Sequence, residues 1–164
     1  MHPSVPMATG LTVAFFKGNR PGIEGIFNRI GRHLDAGPYS HAEIILPNGL
    51  SYSSSIVDKG VRFKNIGYSS VGNWDFLPIP NPDLIISNQV ATWFAKHHGE
   101  LYDHLGNLRF ATNFAHDDPT KWFCSEAIMA SLGVPEAFRY GPSGAASTLA
   151  WKFNTNMIFV HKPF

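Results

Sequence analysis

The stretch that most constrains this chain is Pro47-Asn48-Gly49, set between SHAEIIL (40–46) and LSYSSSIV (50–57). A turn of this composition between two strand-like runs folds the chain back as an antiparallel hairpin. LTVAFFKG (11–18), GVRFKNI (60–66) and WDFLPIP (74–80) read as three further strands. Strands joined mostly by short turns imply an antiparallel sheet. Alternation along SHAEIIL places His41, Glu43 and Ile45 on one face and Ala42, Ile44 and Leu46 on the other. The second face is the one suited to packing against helices.

Helical patterns lie on both sides of this region. In PGIEGIFNRIGRHLDAG (21–37) Pro21 can open a helix, Ile23, Ile26, Phe27, Ile30 and Leu34 share a stripe, and Gly37 can close it. DLIISNQVATWFAKHHG (83–99) repeats the pattern with Ile86, Val90, Trp93 and Phe94, and Gly99 is its stop. ELYDHLGNLRFATNF (100–114) is expected to continue as a second helix, and HDDPT (116–120) is a loop with a capping Thr120. CSEAIMASLG (124–133) is helical with Gly133 as its C-cap, PSGAASTLAWKF (142–153) holds a short helix, and NMIFVHKPF (156–164) is a final strand. The expected fold is one α+β domain over residues 1–164, an antiparallel sheet packed against helices.

A chain of 164 residues with 44% hydrophobic and 15% charged residues is globular in composition. Its net charge of +1 gives no electrostatic reason to expect a nucleic acid or an anionic membrane as partner. No apolar run approaches the roughly 20 residues of a membrane-spanning helix, so no integral membrane segment is expected. MHPSVPMATGL has neither the cationic nor the apolar part of a signal peptide, and a cytoplasmic location is expected.

The only cysteine, Cys124, sits in TKWFCSEA. One cysteine excludes an internal disulfide and the thiolate-rich zinc sites, and no cofactor or metal is expected. A thiol attacks well only as a thiolate. Two devices lower its pKa: the start of a helix, whose unpaired N–H groups favour negative charge, and a nearby imidazole. Cys124 stands where a helical pattern begins. Of the eight histidines, His97 and His98 end a helix, where a cation suits the dipole, and HHxxxxxH (97–104) lacks a ligand geometry. His41 differs, because it is the second residue of a strand and shares a face with Glu43. The plainer readings are a cysteine buried as a small apolar residue and a hydrogen-bonded structural histidine. Spacing alone does not bring the two together.

YSHAEIIL followed far downstream by KWFCSEAI resembles the circularly permuted branch of the NlpC/P60 superfamily of papain-like enzymes. This branch includes the YiiX/YaeF-type proteins and the lecithin:retinol acyltransferase group. The hairpin YSHAEIILPNGLSYSSS, the tract DKGVRFKN and GELYDHLG fit the same pattern, and the likeness covers roughly residues 11–155. In the permuted branch the histidine strand precedes the cysteine helix, as it does here.

The resemblance implies that Cys124 is the nucleophile and His41 its general base, with the backbone N–H of Cys124 facing the oxyanion. Tyr39 is a candidate second donor through its hydroxyl, with simple packing as the alternative. The family's third residue, on the strand after the histidine, holds the imidazole in its working tautomer. Here that strand offers SYSSS (51–55), a departure. A three-residue turn sets His41 opposite Ser55 and Glu43 opposite Ser53, which makes Ser53 and Ser55 the candidates, whereas a two-residue turn shifts the pairing by one. Glu43 is expected to be solvated, though near the ring it can substitute. Arg62 and Lys64 are expected to face water, or less simply to bind a substrate carboxylate. Asp103 lies at the site rim or on a helix surface, and Trp122 and Phe123 wall a cleft or join the core.

The activity implied is that of a thiol hydrolase acting on a peptide or acyl-amide substrate, cell-wall peptide being the leading class, in a bacterial or phage-infected cell. The alternatives are a lipid acyltransferase or esterase, and a catalytically weak binding or structural protein of the same fold.

Overall fold

The computed structural model describes residues 10–18, 37–68, 71–81, 83–104 and 118–160. Apart from Gly37, the helix expected over 21–37 lies outside these residues. Seven strands form one sheet: β1 (Leu11–Phe16), β2 (His41–Ile45), β3 (Ser51–Ser55), β4 (Gly60–Lys64), β5 (Trp74–Ile79), β6 (Leu101–Tyr102) and β7 (Lys121–Trp122). Their order is β5-β1-β2-β3-β4-β6-β7. Every neighbouring pair is antiparallel except β6 and β7. Three helices follow the strand-rich half: α1 (Ile85–Lys96), α2 (Cys124–Ser131) and α3 (Pro142–Lys152). The fold of the described residues is therefore α+β, with a mostly antiparallel sheet.

Helix α2 packs on β2 and β3, flanked by α1 and α3. The alternation read from the strands explains why. Val13 and Phe15 of β1, Ala42 and Ile44 of β2 and Val61 of β4 point to the helices, where they meet Val90, Phe94, Ala127, Ile128 and Leu149. Burying such side chains contributes roughly 1.5–3 kcal/mol each. The opposite face carries a smaller apolar group of Ala14, Ile45, Trp74 and Phe76. On this face β2 places His41 and Glu43. An interior strand is covered on both sides, so both residues are buried.

Three expectations change. Leu101–Tyr102, read as the start of a helix, is strand. The turn at Gly99, with φ of 84°, sends the chain back along β4, where Val61 N–H donates to Glu100 O at 2.9 Å and Tyr102 N–H to Lys59 O at 3.2 Å. The rest of 100–114 beyond His104 lies outside the described residues. Thr120 does not cap α2, because its hydroxyl donates to Asp118 at 2.6 Å. The N-cap is Phe123, whose N–H donates to Glu126 Oε2 at 3.2 Å. Within 156–160 the expected last strand is reduced to a single bridge between Phe76 and Ile158.

The close approach of β6 to β4 depends on a missing side chain. A Cβ on Gly60 would stand 1.9 Å from the Glu100 carbonyl oxygen, and its φ is +155°. Gly60→Ala is expected to destabilise the fold by about 1–3 kcal/mol, read as a lower denaturant midpoint at unchanged slope. An unchanged midpoint would mean that β6 does not lie against Gly60.

Candidate active site

The hairpin register sets up the site. β2 and β3 pair at Ile44↔Tyr52 and Ile45↔Ser51, so the same register continued sets Glu43 opposite Ser53 and His41 opposite Ser55. Beyond Ile44 the ladder opens, and the N-terminus of α2 stands at the opening. The backbone N–H groups of Ala42, no longer paired with β3, and of Ser125 favour a negative charge on the Cys124 sulfur. Two serine hydroxyls hold the edges of the gap. Ser53 Oγ donates to the Ala42 carbonyl at 2.7 Å, and Ser54 Oγ donates to the Trp122 carbonyl at 2.6 Å. The second contact fixes the segment just ahead of Cys124 onto β3.

His41 stands close enough to Cys124 for each to favour the other's charged form. Its Nε2 lies 2.8 Å from Glu43 Oε1, which leaves Nδ1 for the sulfur. Glu43 is fully buried. Its carboxylate accepts from Arg62 with both prongs, Nη1 to Oε2 at 2.7 Å and Nη2 to Oε1 at 2.5 Å. Arg62 Nε in turn donates to Asp58 Oδ2 at 2.8 Å, and Asp58 also accepts from Lys64. An unbroken series of polar contacts thus runs from the surface at Lys64 to the thiol.

These contacts correct the solvated reading of Glu43 and the water-facing reading of Arg62. Both lie in the middle of the sheet, where an ionised side chain persists only if paired and hydrogen-bonded. They also correct the roles given to Ser53, Ser55 and Tyr39. With one imidazole nitrogen on Glu43 and the other on Cys124, none is left for Ser53 or Ser55 to orient. Ser53 holds backbone instead, and Ser55 is buried at the end of β3. Tyr39 gives its only hydroxyl proton to Asp75 Oδ2 at 2.9 Å, so it has none for an oxyanion. Burial and the Asp75 carboxylate hold the phenol well above its ordinary pKa.

The charges support one another. Burial pushes the Cys124 thiol up, but the imidazolium of His41 and the two backbone N–H groups outweigh it, and the net shift is downward. Burial pulls His41 down, yet Cys124 and Glu43 carry it above its ordinary value. Glu43 is likewise raised by burial and lowered further by His41 and Arg62, ending below the usual carboxylate range. The arrangement favours a thiolate–imidazolium pair between the depressed thiol and the raised imidazole.

Cys124 is 3% exposed and His41 6%. Trp122 donates its Nε1–H to Glu100 Oε2 at 2.5 Å and meets the Trp93 ring edge-on, while Phe123 is fully buried. Asp103 is also buried, and its N–H donates to the Trp122 carbonyl. A cleft of about 420 Å³ lies beside β6 and β7, with Lys59, Tyr102, Asp103, His104 and Lys121 in its lining. Among the described residues, no three His, Cys, Asp or Glu side chains gather where they could share a metal ion, and no helix is long and apolar enough to cross a membrane. No known family model matches the chain, and no curated protein matches it.

Glu43 was visible in SHAEIIL as the residue sharing a face with His41. The signal that was missed is its cross-strand partner: Arg62 lies opposite Ser53, which lies opposite Glu43. Because the folded pKa of Glu43 is depressed, its contribution to stability is complete above the ordinary carboxylate range and is lost as pH falls through and below that range. Glu43→Gln is expected to cost about 3–5 kcal/mol at neutral pH by leaving the Arg62 charge short of a partner. It should also flatten the acid loss of stability below roughly pH 4, measured by denaturant unfolding across pH. Parallel curves for wild type and E43Q would contradict the depressed pKa.

Proposed function

We propose that the chain is a cysteine hydrolase of the permuted papain-like, NlpC/P60 kind, cleaving an amide bond in a peptide substrate, with bacterial cell-wall peptide as the leading class. The observation that carries this reading is Cys124 at the first turn of α2, against a histidine whose other nitrogen is held by a buried carboxylate. The order of histidine strand before cysteine helix supports it as well.

In this reading His41 Nδ1 holds the proton taken from Cys124, and the thiolate attacks the amide carbonyl carbon. The oxyanion accepts from the backbone N–H of Cys124, which stands at a helix start and has no helical acceptor of its own. His41 returns the proton to the leaving amine, and a thioester remains. Water then attacks the thioester as His41 takes its proton. The carboxylic product leaves and the thiolate–imidazolium pair is restored. Glu43 fixes the ring and stabilises its charge in both halves.

A second reading is a binding or structural protein with an unreactive thiol. One observation favours it, the 3% exposure of Cys124, since buried cysteines are commonly inert.

Digestion of cell-wall peptide is expected to release new amino groups with wild type and none with Cys124→Ala. Iodoacetamide separates the two readings. For the hydrolase, alkylation of Cys124 is rapid well below the roughly 8.5 of a free thiol, and His41→Ala slows it more than about tenfold at pH 7. Slow alkylation of both proteins would select the inert reading.

A further inference from the structure

Four groups occupy the interior of this site, and their charges cancel. The working state holds a thiolate on Cys124, an imidazolium on His41, a carboxylate on Glu43 and a guanidinium on Arg62. Other side chains line the same face of the sheet. On β3 these are Ser51 and Ser53; Tyr68 donates or accepts with Ser51 at 2.8 Å; β1 and β5 contribute Phe16, Ala14, Trp74 and Phe76. Glu126, a buried carboxylate on α2, stands outside these four and is engaged with the Phe123 N–H. Outside the four, Asp58 and Lys64 form a second balanced pair nearer the surface.

From this geometry we infer that Arg62 is a positioning residue for the Cys124–His41 site: it neutralises the buried set and holds both oxygens of Glu43, so that Oε1 stays on the ring. This inference rests on the hydrolase reading and deepens it. The guanidinium is suited to the task because its planar fork meets the carboxylate at two points, while Asp58 fixes its Nε side and prevents it from turning away. DKGVRFK therefore supplies the site with its supporting cation, rather than a surface for substrate.

Charge balance gives the consequence its sign. Without Arg62 the buried set carries one net negative charge. Such a set takes up a proton at a higher pH than the balanced one, whether on the sulfur or on the carboxylate. Either proton removes the working state. A residue that only fills space would leave the position of this transition unchanged.

The test is the pH dependence of Cys124 alkylation by iodoacetamide, together with cell-wall peptide hydrolysis, in wild type, Arg62→Gln and Arg62→Lys. The acidic limb of both profiles is expected to rise by about one pH unit in R62Q. R62K, which keeps the charge and loses the fork, should return the limb most of the way while restoring hydrolysis only in part. R62Q limbs superimposed on wild type would overturn the inference. Should R62Q not fold, R62K decides: full wild-type hydrolysis overturns the role of the two-point grip, and a partial loss at a near-normal limb supports it. A wild-type limb at the free-thiol value would instead remove the hydrolase reading itself, and the inference with it.

Discussion

Everything at this site depends on a carboxylate in a place where carboxylates are rarely found. Glu43 lies on an interior strand of the sheet with no exposed surface. An isolated charge there would be neutralised by proton uptake, or would unfold the strand. It persists because a guanidinium grips it from β4 and an imidazole meets it from its own strand. That arrangement fixes the orientation of His41, and the orientation of His41 directs Nδ1 at the sulfur.

Backbone geometry does the rest. A hairpin that remained paired along its full length would use the Ala42 N–H in the ladder. Here the ladder ends at Ile44, and the freed N–H favours the Cys124 thiolate. The opening has its own cost, since strand edges left unpaired inside a protein lose hydrogen bonds. Ser53 and Ser54 offset it by bonding to the Ala42 and Trp122 carbonyls. The serine tract thus ties β2, β3 and the segment ahead of Cys124 into one unit.

Much of the fold was legible because short strands and helices carry strong periodic signals. The strands at 11–16, 41–45, 51–55, 60–64 and 74–79 and the helices at 85–96, 124–131 and 142–152 fall within the stretches read from hydrophobic pattern and turn residues. The three-residue turn at 47–49 gave the right hairpin register. What pattern could not show was burial on the polar face. Glu43 and Arg62 read as surface residues because alternation says which face a side chain takes, not what covers that face. The two-residue strands β6 and β7 also escaped notice, being too short to show a period and dependent on Gly60 for their place in the sheet. Tyr39 and Ser53 were misjudged for a different reason: a hydroxyl beside the candidate site has many possible acceptors, and only coordinates tell which one it meets.

The central claim is that Cys124 rests as a thiolate paired with the imidazolium of His41. Because the chain has one cysteine, the ultraviolet absorbance of the thiolate, taken as wild type minus Cys124→Ala across pH, reads this state without any substrate. The difference signal is expected to be fully developed at neutral pH and to disappear only in acid. A signal that first emerges near the roughly 8.5 of an ordinary thiol would contradict it.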